Sequence, residues 1–228
     1  MLNKVILLFF GKKISLKFNA IDVYQRYKAV SNKIHDEEKK IIEIGAAYSV
    51  LHHFVNKTHF LTYVDINQEY QPPQGIKYFC ITDEKLPFKD KEFDCLVSIA
   101  TLEHIPQEKR RLAVKEWKRI AKRIIIYVPV GQIAQEYDLK LFNWKKYIGV
   151  YDKWTEEHIR YGLPTVKILH SYFKNGTFVY IQNASVWFIT TFSSSIPVLG
   201  RFLPGLLYLF LRKKDCQEPY IGCVMDWK

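Results

Sequence analysis

The chain has 228 residues, 48% of them hydrophobic and 15% aromatic, which excludes a disordered chain and suffices for one domain with a sizeable core. Its net charge of +11 points to acidic partners (nucleic acid, anionic lipid or a phosphorylated metabolite) or to a solvated basic surface, without choosing among them. The cysteines at 80, 95, 216 and 223 form no CxxC pair, no His/Cys cluster has zinc spacing, and Cys80 and Cys95 sit inside apolar strand-like runs, so buried reduced thiols in a cytoplasmic protein and no metal are expected.

The first apolar run, Val5 to Phe10, is only six residues. It is short for a signal peptide and far too short to span a bilayer, and reads as a strand or helical turn packed on the core. Residues 19–39 carry the spacing of an amphipathic helix ahead of a sheet, so residues 1–38 form an N-terminal helical extension. Strands are predicted at 41–45, 59–66, 75–82, 93–100 and 123–130, with helices at about 47–57 and 107–121 between them. Strands that alternate with helices and are apolar on both faces imply a parallel sheet covered on both sides, and right-handed crossovers make it doubly wound α/β. In 93–100 only Ser98 interrupts the apolar residues Cys95, Leu96, Val97, Ile99 and Ala100.

The helix at 107–121 carries Lys109, Arg110, Arg111, Lys115, Lys118 and Arg119, with Lys122 and Arg123 just beyond, opposite an apolar stripe of Ala113, Trp117, Ile120 and Ala121. The basic residues read as a solvated outer face, the sharper alternative being a surface for anionic lipid or nucleic acid. Residues 131–155 read as an irregular insert rich in aromatics and lysine. Residues 155–174 read as helix interrupted by Gly162 and Pro164, 177–190 as one long strand and 219–227 as a final strand. The segment 195–214 is apolar over about 16 residues but broken by Arg201 and by prolines and glycines, so it is not expected to span a bilayer. It ends in Arg212, Lys213 and Lys214 and suits a peripheral contact with an anionic membrane, a hydrophobic lid or dimer surface, or a core helix between the last two strands.

In an open parallel sheet, ligands bind beyond the carboxyl ends of the strands. Gly45 follows the first strand and lets the backbone turn tightly and approach a ligand. Asp65 ends the second strand, 22 residues after Glu43, where a carboxylate can grip two ribose hydroxyls. Asp83 follows the third and can accept from an exocyclic amine such as that of adenine. Together they describe a pocket for an adenosine moiety, and the absence of further phosphate-cradling glycines disfavours a pyrophosphate. Each position also has a plainer reading: Gly45 as a strand-to-helix turn, Asp65 as a helix N-cap, and Asp83 as a cap on the turn before Leu86-Pro87.

The phrases EIGAAYS, YVDIN and ITDEKLPFKDKEFDCLVSIATLEHIP resemble small class I S-adenosylmethionine-dependent methyltransferases, and most closely the type 11-like subgroup that includes quinone-biosynthesis and related small-molecule or lipid enzymes. The resemblance covers about residues 38 to 182 together with 219–227. It implies a single domain over 1–228, a Rossmann-like seven-stranded sheet, mostly parallel with an antiparallel last strand, and S-adenosylmethionine as cofactor. It matches Glu43 and Gly45 to the acid and first glycine of the cofactor loop, with Ala47 and Ser49 where further glycines are usual. It matches Asp65 to the ribose-binding acid, Ile66 to the residue packed on adenine, Asp83 with Glu84 to the acids near the adenine amine, and Ile99 and Ala100 to the backbone along the methionine part. The inserts 131–155 and 191–218 would then form the acceptor side.

Methyl transfer is an in-line displacement at an activated carbon, and the enzyme mainly aligns donor and acceptor. Where a base is needed, His104 and His158 are the catalytic candidates, although each also suits a packed, structural histidine. The expected acceptor is a small-molecule, lipid-like or glycan-precursor compound. Nucleic acid is not expected, because no RNA-binding module and no NPPY-like motif occurs. The alternatives are a cofactor-binding protein without catalysis, and a basic peripheral membrane or nucleic-acid binder that retains the fold.

Overall fold

The apolar runs predicted as strands assemble into one sheet. In the computed structural model, which describes residues 13–83, 85–196 and 198–228, they are Lys40–Ile44 (β1), Phe60–Asp65 (β2), Lys77–Cys80 (β3), Phe93–Ile99 (β4) and Ala121–Pro129 (β5). Thr177–Asn183 (β6) and Tyr220–Trp227 (β7) complete a seven-stranded sheet of order β3-β2-β1-β4-β5-β7-β6. The strands β1 to β5 pair in parallel, and β7 runs antiparallel between β5 and β6. This is the doubly wound sheet expected, with its antiparallel last strand. The run Val5 to Phe10 and the residue Glu84 lie outside the described residues.

Period-two alternation explains how the central strands bury both faces. Ile42, Leu96, Ile124 and Ile126 point to one side, where they meet Val114, Trp117 and Ile120 of helix Gln107–Ile120 (α2), with Leu169 and Phe173. Ile41, Cys95, Val97 and Ile125 point to the other, against Tyr27 and Val30 of helix Ile21–Ser31 (α1) and against Leu51 and Tyr63. From β1 the chain moves outward to β2 and β3, then returns to the centre at β4, which opens a crevice beyond the carboxyl ends of β1 and β4.

Several expectations change. No helix forms over 47–57, where a single 3-10 turn, Leu51–His53, lies among turns. Tyr48 takes φ +64°, and Ser49 turns its hydroxyl back to accept the Leu51 N–H at 3.1 Å, a local bond that competes with helix propagation. The helix expected over 19–39 is confined to α1. Residues 131–155 are not irregular: Gly131–Tyr147 forms a helix (α3), and Lys153–Tyr161 (α4) begins within the range, its first turn capped by Asp152. As expected, Gly162 and Pro164 separate α4 from Val166–Tyr172 (α5); Gly162 has φ +67° and ends α4. The long strand at 177–190 breaks at Asn183. Its side chain accepts the N–H groups of Ser185 and Val186, which starts helix Ala184–Ser194 (α6) where β-branched and aromatic content suggested more strand. Cys80 is exposed rather than buried.

The basic residues around α2 are not simply a solvated face. Arg110 is buried and donates to the carbonyls of Glu103, Ile105 and Gly162. Arg119 bonds Glu116, Asp90 and the carbonyls of Leu86 and Phe88. Arg123, only 3% exposed, holds both Glu38 and Asp226. In the 195–214 segment, helix Leu203–Leu211 (α7) packs against α6 but leaves Leu209 and Phe210 exposed. No helix among the described residues is long and apolar enough to cross a membrane.

Candidate active site

Gly45 sits at the end of β1 with φ +76°, and its amide, like that of Ala46, donates to the carbonyl of Val64 on β2. Glycine is required there twice over: by the left-handed backbone, and because a Cβ would lie 2.1 Å from Thr101 Oγ1. Asp65, closing β2, faces this loop. Its Oδ2 accepts the Ala47 N–H at 2.8 Å and its Oδ1 the Asn67 N–H at 3.0 Å. Each oxygen keeps a lone pair for a further donor, so the carboxylate both ties the loop and can receive a vicinal diol.

The other strand-end residues emerge at the same edge of the sheet. Ile66 is 73% exposed, a large apolar side chain left open beside Asp65. Asp83 is exposed beyond β3. Ile99 is buried at the end of β4, and Ala100 follows with φ +53°, its amide bonded to Tyr127 O. Sequence reasoning missed the tyrosines nearby: Tyr70 packs edge-on against both Tyr48 and Tyr78, at 5.6 and 5.2 Å between ring centres. Their scatter along the chain offers no periodic signal.

Glu43 does not line the open crevice. It is buried beneath the loop, where Ser49 Oγ donates to it at 2.5 Å and the Tyr27 hydroxyl lies at 3.3 Å. Burial raises its pKa from 4.5 to about 8, against the opposing pull of those hydroxyls. The folded chain therefore holds a proton here that the unfolded chain releases. Its stabilising effect is complete below about pH 4.5 and is lost as pH rises through about 8. Glu43→Gln, neutral throughout, is expected to lack this loss. Urea unfolding at pH 5 and pH 8.5 should show wild type losing stability relative to the variant by on the order of a few kcal/mol.

Beyond β4 the 3-10 turn Leu102–His104 meets α3 and α4 in a second polar group. His104 Nδ1 bonds Glu157 at 2.9 Å, His158 Nδ1 bonds Asp138 at 2.8 Å, and the two Nε2 atoms lie 3.3 Å apart. Glu103, fully buried, places Oε1 3.9 Å from His158 Nε2, and neither of its oxygens has a hydrogen-bond partner. Burial pushes the Glu103 carboxyl up to about 7 and, followed by the charge of His158, pushes His104 down to about 3. Thus the two predicted catalytic histidines, 54 residues apart in the chain, are brought together. Asp138 and Glu157 were not anticipated. The helical spacing of buried Ala134, Asp138 and Leu141 is the signal that could have found Asp138.

A methyltransferase-domain family profile matches residues 43–124, which run from the buried Glu43 through β5's first residues. No curated protein matches the chain. Among solved structures, a Haloferax volcanii protein in complex with a methyltransferase activator is 10% identical, with TM-score 0.55 and coverage of 98% of this chain and 96% of that one. A protein described as a methyltransferase of an antibiotic biosynthesis pathway from Anabaena variabilis is 17% identical, with TM-score 0.53 and coverage of 90% and 96%. The plantazolicin methyltransferase BpumL, solved with a monoazolic desmethylPZN analogue and S-adenosylhomocysteine, is 12% identical, with TM-score 0.52 and coverage of 99% and 92%. At these identities the likeness is one of fold.

Proposed function

We propose that this chain, whose residues 43–124 match a methyltransferase-domain family and whose sheet has the fold of the solved methyltransferases it resembles, transfers the methyl group of S-adenosylmethionine to a small-molecule, lipid-like or glycan-precursor acceptor. The observation that carries the reading is Asp65, whose two oxygens each take one loop amide and keep a lone pair toward the crevice. In this reading those lone pairs receive the ribose hydroxyls. Ile66 packs on the adenine, Asp83 accepts from its amine, and Gly45 with Ile99 and Ala100 gives the methionine part a backbone wall. Glu43 acts from below, through Ser49. Glu84 belongs to the adenine end by the sequence resemblance alone.

The reaction forms a bond from the acceptor's oxygen or nitrogen to the methyl carbon while the carbon–sulfur bond breaks, its electrons staying on sulfur. The chain's contribution is alignment of the two partners. Where the acceptor must lose a proton, the Glu103–His104–His158 group beyond β4 is the part of the chain suited to assist. Arg119 and Arg123 are paired with carboxylates of the chain itself, which lowers the free positive charge around α2 that a nucleic acid would meet. The exposed Leu209 and Phe210 suit a lipid-like acceptor or a peripheral membrane contact better than an aqueous one.

The test is transfer of a labelled methyl group from S-adenosylmethionine to panels of phenols, isoprenoid lipids, glycan precursors and short azole peptides. Label in one of the first three classes is expected. Cofactor binding with no transfer to any class would instead favour a non-catalytic cofactor-binding protein.

A further inference from the structure

We infer that Glu103, His104 and His158 form a binding site for one divalent transition-metal ion of the zinc class, with an open coordination position toward the acceptor. Hydrogen-bond logic comes first. A carboxylate oxygen accepts, so each histidine spends its Nδ1–H on the carboxylate it faces, Glu157 or Asp138. Both Nε2 atoms are then left with lone pairs directed at each other across 3.3 Å. Two facing lone pairs repel unless something positive lies between them. A proton shared by the rings would satisfy the histidines alone. It would leave the fully buried Glu103 with two oxygens that bond to nothing, and an unpartnered buried carboxylate is costly. The charges of His158 and, less strongly, of Arg26 act on Glu103 without a side-chain hydrogen bond to it. A single cation accounts for both nitrogens and the carboxylate together.

The geometry agrees. Ligand atoms of the three residues all lie within 4.8 Å of one another. At zinc–nitrogen distances of about 2.0–2.1 Å, tetrahedral coordination sets two ligand nitrogens about 3.3–3.4 Å apart, close to the 3.3 Å found. Glu103 Oε1, at 3.9 Å from His158 Nε2 and within 4.8 Å of the other ligand atoms, has to swing inward to complete the set. Histidines whose second nitrogen is held by a carboxylate are the usual outer shell of metal sites, because the carboxylate fixes the tautomer and raises ligand basicity. Two histidines and one glutamate make three protein ligands, and the His104 and His158 side chains remain 17% and 14% exposed, which leaves a fourth position reachable.

The site itself rests on these contacts alone; its role rests on the methyl-transfer reading. There the ion would hold the acceptor's hydroxyl oxygen in the open position and lower its pKa, the proton leaving to solvent before methyl transfer. Among the described residues the sequence hides this site because no short spacing links residues 103 and 158.

The test is titration of the chelator-stripped full chain with cobalt(II), read by visible absorption, followed by competition with zinc and a parallel calorimetric titration with S-adenosylhomocysteine. One equivalent of cobalt with a low-symmetry absorption band is expected. Glu103→Gln, which keeps the side-chain volume, should weaken metal binding at least about tenfold, and Asp138→Asn or Glu157→Gln about 10–100-fold. S-adenosylhomocysteine binding should remain in all three. No stoichiometric metal uptake by wild type, or uptake unchanged in a Glu103→Gln, His158→Gln double variant, would overturn the site. If either occurs while S-adenosylhomocysteine still binds, the metal site fails and the methyltransferase reading stands; metal uptake without S-adenosylhomocysteine binding is the reverse case.

Discussion

Replacing Asp65 with alanine is expected to weaken S-adenosylhomocysteine binding about a hundredfold or more while leaving the fold intact. Two effects combine. The substitution removes the carboxylate proposed to hold the ribose diol, and it releases the Ala47 and Asn67 amides that the same carboxylate now ties at 2.8 and 3.0 Å. Hydrogen bonds to charged groups contribute roughly 1.5–3 kcal/mol each, and about 1.4 kcal/mol is a factor of ten in affinity. Losing two ribose contacts therefore predicts a change of a hundredfold even before the loop loosens. Asp65→Asn is the informative control. It keeps one acceptor oxygen but turns an amide donor toward a backbone donor, so an intermediate loss is expected. Calorimetric titration with circular dichroism of the same samples checks both. Wild-type affinity in the alanine variant would remove Asp65 from the site.

The largest effect on stability is expected at the opposite end of the sheet. Arg123, at the start of β5, donates Nε and Nη2 to Asp226 of β7 at 2.8 and 2.6 Å, and Nη1 to both oxygens of Glu38 at 3.0 Å. One buried guanidinium thus joins the segment before β1 to the last strand. Arg123→Ala leaves two acids facing each other with no cation between them, and removing one partner of a buried ion pair costs about 3–5 kcal/mol. Arg123→Lys should recover only part of this, because an ammonium cannot match two carboxylates with the planar fork of guanidinium. Urea unfolding at pH 7 measures both variants. A loss below about 1 kcal/mol for Arg123→Ala would mean that the triad contributes nothing beyond what water can replace.

The sheet was legible because its signal is local. Ile41-Ile42 and Ile124-Ile125-Ile126 each feed two core faces, and short β-branched runs apolar on both faces fit strands buried between layers. The acids at the strand ends were legible for a related reason. Once the strands are parallel, Asp65 and Asp83 must emerge at the same edge as Gly45. What failed were elements decided by a single side chain's choice of partner. Ser49 looked like a replaced glycine, but its hydroxyl bonds Glu43, helping to keep the segment after β1 from becoming a helix. Asn183 looked like a polar residue in a strand, yet it caps α6. Arg110 and Arg123 looked like members of a solvated basic run, yet tertiary carbonyls and carboxylates claim them. The histidine group was the least legible part, since Glu103, Asp138 and His158 meet only after three separate elements have packed.

The most direct measurement is calorimetric titration of the purified full-length chain with S-adenosylhomocysteine. The account predicts one saturable site per chain with micromolar affinity, retained after metal is stripped by a chelator. Heat indistinguishable from dilution across millimolar ligand would contradict it, and would mean that the loop between β1 and β2 does not form a cofactor pocket.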